Sequence, residues 1–114
     1  MTNILNLMEH ARFAAEKLAK VALFESPRAL LDLYCLEPGQ EQRVHQHDDS
    51  DKVYVGLSGA ALVTVGDEAT SLGPLQAALA PAGAPHGVRN DGAERAVLLV
   101  FQARTPKEGR GPTG

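Results

Sequence analysis

Aromatic residues are scarce in this sequence, and cysteine is almost absent. Of the 114 residues, 4% are aromatic, none is a tryptophan, and Cys35 is the single cysteine. The sequence therefore excludes an internal disulfide, and the core has to be built mainly from Leu, Val, Ile and Ala. Because hydrophobic residues still make up 44% of the chain, we expect one folded domain and not a disordered chain.

The sequence also lacks a strong charge and a long apolar run. Its 11 basic and 14 acidic residues give a net charge of -3, which argues against nucleic acid and anionic membranes as partners. The apolar run at residues 96–101 is far shorter than the roughly 20 residues that span a bilayer. No basic cluster precedes an apolar stretch at the N-terminus, so we expect no signal peptide and a cytoplasmic protein.

Glycine and proline, in contrast, are frequent, with 11 and 7 copies, and they divide the chain beyond Pro27 into short segments. The segments between the turns are β-branched or alternate between apolar and polar residues, at 28–36, 42–47, 53–57, 60–65, 68–72, 76–81 and 95–101. Short strands with regular turns predict an all-β sandwich or barrel. No helix-length segments alternate with these strands, which argues against a doubly wound parallel sheet.

The N-terminal segment has a different pattern. Apolar residues recur there at steps of three or four, at Ile4, Met8, Ala11, Ala15, Leu18 and Ala22. This spacing predicts a short helix that begins near Ile4, and its end stays open because residues 13–21 could instead form an edge strand. At the other end, residues 104–114 contain no large apolar side chain, and we expect a flexible tail.

The strand-like segment at 42–47 carries two histidines, His45 and His47. Because side chains alternate along a strand, both imidazoles face the same side, where they form half of a metal site. A third histidine, His86, follows a turn rich in proline and glycine and begins a further strand-like segment. An H-x-H pair alone is weak evidence for a metal, and solvated histidines are the alternative.

Two longer patterns contain these histidines. The pattern G-x5-H-x-H-x(3,4)-E-x6-G is matched at Gly39, His45, His47 and Gly59. The pattern G-x5-P-x-G-x2-H-x3-N is matched at Pro81, Gly83, His86 and Asn90, with Leu75 in place of its first glycine. In these two motifs, in their order and in their spacing, the sequence resembles the cupin superfamily.

The resemblance implies an all-β, single-domain, cupin-like jelly-roll β-barrel at residues 25–103. An N-terminal helix or edge segment at 1–24 would precede it, and the tail at 104–114 would follow. The resemblance further implies that His45, His47 and His86 converge on a divalent transition metal in the barrel mouth. Imidazole ligands suit Zn, Fe, Ni, Mn or Cu, and the sequence does not choose among them. A homodimer that binds a small-molecule ligand is also implied.

The position of the motif glutamate is the main departure from the family pattern. Counting back from Gly59 places it on Lys52, whereas the shorter spacing from His47 places it on Asp51. Neighbouring strand residues face opposite sides, so only one of the two enters the pocket. An ammonium about 5 Å from a dication would be repelled by about 7 kcal/mol at an effective dielectric constant of 20. An inward Lys52 would therefore bend outward, lose its proton, pair with an acidic substrate, or replace the metal.

These residues support two hypotheses on function. In the first, the chain is a metal-dependent enzyme, an oxygenase, isomerase or similar, that acts on a small polar or carboxylate-bearing molecule. Lys52 is then the candidate catalytic residue, which neutralises a substrate carboxylate or transfers a proton. In the second, the chain is a non-catalytic ligand-binding or sensing module with Lys52 in place of the metal-ligand glutamate. Tyr54 shares a strand face with Lys52 and is either a pocket residue or a core aromatic.

Overall fold

The computed structural model describes residues 4–104 of the chain. The strands in this part of the chain are β1 (Ala19–Glu25), β2 (Ala29–Leu36), β3 (Glu41–His45), β4 (Ser50–Ser58), β5 (Ala61–Val65), β6 (Glu68–Leu72), β7 (Ala77–Ala80), β8 (His86–Arg89) and β9 (Ala96–Arg104). They form a five-stranded sheet with the order β1-β2-β9-β4-β7 and a four-stranded sheet with the order β3-β8-β5-β6. All strand pairs are antiparallel, and the fold is the predicted all-β jelly-roll barrel.

The barrel interior is filled by the inward-facing side chains of both sheets. Strand β9 lies at the centre of the five-stranded sheet, between β2 and β4, and its Ala96, Leu98 and Val100 are buried in the core. Neighbouring strands of the same sheet, strands of the four-stranded sheet and the residue before β1 add the rest of this core: Leu18, Tyr34, Leu36, Tyr54, Ala61, Val63, Leu72, Ala80 and Val88. Each fully buried Leu or Val stabilises the fold by roughly 1.5–3 kcal/mol, so aliphatic packing replaces the missing aromatic residues.

The outer face of the five-stranded sheet is covered in part by the N-terminal segment. Leu33, Cys35 and Val97 are buried there, and Leu7, Ala11 and Phe13 pack against them. The predicted helix is present only as a 3-10 turn at Leu7–His10. An extended chain covers more of the flat sheet than a helix of the same length does, and this packing overrides the helical propensity of the segment. Among the described residues, no helix is long and apolar enough to cross a membrane.

Each segment predicted as a strand after Pro27 overlaps a strand of the structure, with boundaries that differ by up to three residues. Segment 68–72 coincides with β6, and 28–36 overlaps all of β2. The alternative edge strand at 13–21 is present only in part, because β1 begins later, at Ala19, and pairs with β2. Residues 105–114, and with them nearly all of the predicted tail, lie outside the described residues.

Three motif glycines occupy turns that require a left-handed backbone. Gly39, Gly59 and Gly83 have φ values of 86, 66 and 88°. Leu75, which stands where the second motif begins with glycine, has a φ of 65° and is 90% exposed. A residue with a side chain costs roughly 1–2 kcal/mol in this left-handed backbone conformation. Leu75 therefore adopts a backbone conformation that a glycine would adopt without this cost.

Candidate metal centre

Two of the three histidines lie on the four-stranded sheet, and the third lies just beyond it. His45 ends β3 and His86 begins β8, and the two residues are direct cross-strand partners. His47 follows β3 by two residues. The ring centroids are separated by 4.4 Å for His45 and His86, 4.8 Å for His45 and His47, and 5.5 Å for His47 and His86. One ligand atom from each ring lies within 4.8 Å of the other two, a spacing that suits a shared ion.

Backbone carbonyl groups set the orientation of two of these rings. His45 Nδ1 lies 2.9 Å from the Arg43 carbonyl oxygen, and His86 Nδ1 lies 2.9 Å from the Ala84 carbonyl oxygen. Because a carbonyl oxygen only accepts, each Nδ1 carries the proton and donates it. In the neutral ring the lone pair is then on Nε2, which is the form in which imidazole binds a metal.

The buried end of the site has an unpaired nitrogen. His86 is 1% exposed, and its Nε2 has no hydrogen-bond partner. Burial lowers the pKa of His86 below its usual 6.5, and burial together with His45 lowers that of His47, so both rings are neutral at pH 7. A buried lone pair with no donor opposite it is costly, and a bound cation would satisfy it. The donor set therefore fits a divalent transition metal.

Lys52, and not Asp51, enters the barrel. Lys52 is 3% exposed, whereas Asp51 is exposed and its Oδ1 accepts a 2.8 Å hydrogen bond from the Ala82 backbone N–H. Lys52 Nζ donates to Tyr34 Oη at 3.3 Å and lies 5.5 and 5.8 Å from the ring centroids of Tyr34 and Tyr54. Burial, reinforced by the charge of Lys20, lowers the pKa of Lys52 to about 8. The chain thus places a cation where the family motif has a carboxylate.

The two tyrosines border both the lysine and the histidines. Tyr54 is fully buried in the core, and its ring centroid lies 6.4 Å from that of His86 and 6.5 Å from that of Tyr34. The Tyr54 hydroxyl has no hydrogen-bond partner, and burial raises its pKa well above 10. Tyr54 is therefore a core residue whose polar atom is still free for a ligand.

Two residues of this region were not anticipated from the sequence, Tyr34 and Gln42. Gln42 Nε2 donates to Tyr34 Oη at 3.4 Å, so Gln42 faces the interior. Simple alternation from His45 places Gln42 on the opposite face, but the register shifts between these two residues, and the irregularity turns Gln42 inward. Tyr34 could have been found from the alternation of side chains along β2, which places Tyr34 on the same inner face as Leu36.

Other residues singled out in the sequence lie away from the histidines or support the fold. Cys35 is a free, fully buried thiol under the N-terminal segment, as an apolar filler would be. Asn90 is fully buried, and its Nδ2 donates to the carbonyl oxygens of Leu36 and Glu94 while its Oδ1 accepts from the Gly92 N–H. Asn90 therefore fixes the turn after β8.

Comparisons with known proteins agree with this architecture. The TT1209 protein from Thermus thermophilus is 53% identical, with 92% of this chain and 100% of that chain covered and a TM-score of 0.89. An RmlC-like cupin protein from Desulfovibrio desulfuricans is 27% identical, with 90% and 97% covered and a TM-score of 0.79. A sugar phosphate isomerase of the cupin superfamily from Silicibacter pomeroyi is 28% identical, with 69% of this chain and 52% of that chain covered and a TM-score of 0.64. No curated protein matches the chain.

The family assignment rests on both sequence and structure. The model of the cupin domain family matches residues 32–102, which include all three histidines and Lys52. Cupin domains often bind metal ions, and members of the family bind small-molecule ligands. The matched residues span more than half of the chain, and this chain therefore belongs to the cupin domain family.

Proposed function

We propose that this chain is a metal-binding cupin enzyme that acts on a small polar or carboxylate-bearing molecule, as an oxygenase, an isomerase or a related enzyme. His45, His47 and His86 would hold a divalent transition metal, with Zn, Fe, Ni, Mn and Cu as the candidates. The observation that carries the proposal is the buried, unpaired Nε2 of His86 beside two further imidazoles. When bound, such a metal supplies a Lewis acid that polarises a substrate oxygen.

Lys52 would govern the charge of the bound substrate. Three neutral imidazoles leave the full charge of a dication uncompensated, and Lys52 adds a further positive charge in the same barrel. A substrate carboxylate would offset both charges, because it is attracted to the metal and to the ammonium group. With a pKa of about 8, Lys52 is also suited to transfer a proton near neutral pH, which makes it the candidate catalytic residue.

The similarity to an isomerase of sugar phosphates is consistent with this substrate class. That protein shares 28% identity with this chain, and this chain covers 52% of its length. The likeness supports a reaction on a small polar substrate but does not choose the reaction. The sequence contains no G-x-S-x-G motif, which argues against a serine hydrolase.

A metal count tests the proposal directly. The protein is purified without a histidine tag, and its metals are counted by elemental mass spectrometry. We expect about one transition metal per chain, lost in His45→Ala because this substitution removes one of three ligands. A substoichiometric metal content that His45→Ala leaves unchanged would contradict the proposed centre.

A non-catalytic ligand-binding or sensing module is the second candidate, and the buried position of Lys52 favours it. Here Lys52 replaces the metal as the cation that binds an anionic ligand. Lys52→Glu would then restore tight metal binding and abolish the binding of an anion, both read by calorimetry. One metal per chain in the wild-type protein would exclude this candidate.

We also propose a cytoplasmic homodimer with no nucleic-acid or membrane partner. Support for the homodimer comes from the outer face of the five-stranded sheet, where Phe24 and Phe101 are 38% and 39% exposed and border an apolar groove with Leu31. A second copy would cover this groove. Light scattering is expected to give twice the 12.1 kDa mass of the chain, and a monomer would contradict the proposal.

A further inference from the structure

The hydroxyl oxygen of Tyr34 forms hydrogen bonds with two residues in the barrel, Lys52 and Gln42. It accepts a hydrogen bond from Lys52 Nζ at 3.3 Å and another from Gln42 Nε2 at 3.4 Å. A phenolic oxygen has two acceptor positions, and both are filled in this arrangement. Tyr34 therefore positions the ammonium group and the amide side by side, each within 3.4 Å of one atom.

The two groups offer opposite hydrogen-bonding chemistry to a ligand. Gln42 Oε1 is buried and has no partner, and as a carbonyl oxygen it can only accept. Lys52 can only donate, and its ammonium group has protons left after it binds Tyr34. A ligand that satisfies both needs an acceptor, best an oxyanion, for Lys52 and a hydrogen-bond donor for Gln42.

A groove gives access to Gln42 from outside the barrel. It lies between β1 and β3, the edge strands of the two sheets, and has a volume of about 580 Å³. Lys17, Lys20, Glu41 and Gln42 are among its lining residues. Lys20 Nζ lies 5.3 Å from the ring centroid of Tyr34, the same ring that Lys52 contacts. The groove carries charges of both signs, because Glu41 lines it and the Asp32 carboxylate lies close enough to interact with both Lys20 and Lys52.

We propose that Gln42, Tyr34 and Lys52 recognise a small hydroxycarboxylate. Its carboxylate binds Lys52, and its hydroxyl group donates a hydrogen bond to Gln42 Oε1. Gln42 is then a residue that determines specificity, and Tyr34 is a positioning residue that holds Gln42 and Lys52 in place. This inference rests on the proposed function, because the ligand would bind to Lys52, which the proposed function makes the candidate catalytic residue.

The test compares three carboxylates that differ only at the second carbon, namely lactate with a hydroxyl, pyruvate with a carbonyl, and propanoate with neither. Dissociation constants are measured by NMR titration of the isotope-labelled full chain as purified, with its metal content determined. We expect lactate to bind about tenfold more tightly than pyruvate, because pyruvate cannot donate to Gln42 Oε1. A bound metal would chelate lactate and pyruvate with different strengths, so the ratio is assigned to Gln42 only if it disappears in a variant that lacks the Gln42 acceptor.

Two variants show whether Gln42 is the origin of this ratio. Gln42→Met keeps the length of the side chain but removes its acceptor, and should bring the ratio of the lactate and pyruvate constants close to one. Gln46→Met is the matched control, because Gln46 is exposed and bonds to Asp48. It should keep the ratio of the wild-type protein. The NMR spectra of both variants also show whether the fold is intact.

The outcomes separate this inference from the proposed function. Pyruvate binding as tightly as lactate, or a ratio that survives in Gln42→Met, would overturn the role of Gln42 while carboxylate binding at Lys52 still stood. Lys52→Met should weaken the binding of all three carboxylates to a similar extent. If none of the three binds at concentrations up to about 100 mM, both this inference and the carboxylate part of the proposed function are wrong.

Discussion

Each of the two cupin motifs in this chain contains one unusual residue, and the two residues lie in opposite environments. Lys52, in the first motif, is 3% exposed inside the barrel, where its ammonium group contacts two tyrosines. Leu75, in the second motif, is 90% exposed in the turn before β7 and has a φ of 65°. Both residues are unfavourable where they stand, the first through a buried charge and the second through its backbone conformation.

The difference between the environments of Lys52 and Leu75 indicates which of these two departures from the cupin motifs concerns function. Lys52 replaces a carboxylate beside three imidazoles, so it reverses the charge that a ligand meets. Leu75 replaces a glycine on the surface, and its side chain is turned to solvent. A residue that destabilises the fold while changing the chemistry of a pocket is a candidate for function, whereas strain in an exposed turn has no such consequence.

The largest expected effect is that of Lys52→Met on stability. Methionine keeps the length of the side chain but carries no charge, so the cost of burying an ammonium group disappears. We expect the free energy of unfolding at pH 7 to rise by about 2 kcal/mol, measured by urea denaturation, while the binding of anions is lost. Lys20→Met is the control and should change stability little. An unchanged or lower stability of Lys52→Met would show that the fold tolerates this charge without cost.

The same variant predicts a dependence on pH. The pKa of Lys52 is about 8 in the folded protein, against 10.5 in the unfolded chain. Between these values the unfolded chain binds the proton that the folded protein has lost, so the free energy of unfolding rises with pH. The stability advantage of Lys52→Met should therefore be full below pH 8 and shrink by about 2 kcal/mol towards pH 10.5. Denaturation curves of both proteins at pH 7 and pH 10 would reveal a constant difference if the pKa is not lowered.

Much of the fold was predictable because its turns are marked by glycine and proline. Gly66 and Gly73 bound a segment whose prediction at 68–72 coincides with β6, and Gly66 has the positive φ that such a turn needs. The N-terminal helix was predicted from spacing alone. Its apolar residues instead pack on the outer face of the five-stranded sheet, which is a tertiary contact that local periodicity does not contain.

The site was predictable only where side chains follow simple alternation. His45 and His86 could be found from their motifs, and the structure makes them cross-strand partners. The choice between Asp51 and Lys52 depends on where β4 begins, and the two motif spacings give different answers. The inward position of Gln42 was not predicted, because the register of β3 shifts between Gln42 and His45. No residue pattern in that segment indicates the shift.

Tyr34→Phe tests how much the hydrogen bond to Tyr34 stabilises the buried Lys52, because the substitution leaves the charge of Lys52 in place. The substitution removes the acceptor of both Lys52 and Gln42, so two buried donors lose their partner. We expect the free energy of unfolding to fall by about 1–2 kcal/mol in urea denaturation. Tyr54→Phe is the matched control, since the Tyr54 hydroxyl has no partner, and it should be neutral or slightly stabilising. Equal losses in the two variants would mean that the Tyr34 hydrogen bonds contribute nothing.

The smallest expected effect is at the other unusual residue. Leu75→Gly relieves the left-handed backbone, which costs roughly 1–2 kcal/mol, but also gives the unfolded chain more freedom, worth about 0.5–1 kcal/mol. The net expectation is a gain of up to about 1 kcal/mol in the free energy of unfolding, with no change in metal content or anion binding. Leu75→Ala keeps the strained backbone and should not gain, and Leu79→Gly, in β7, should lose about 1 kcal/mol. If Leu75→Gly altered the binding of metal or anion, the exposed turn would be part of the site. The conclusion that only Lys52, and not Leu75, concerns function would then be wrong.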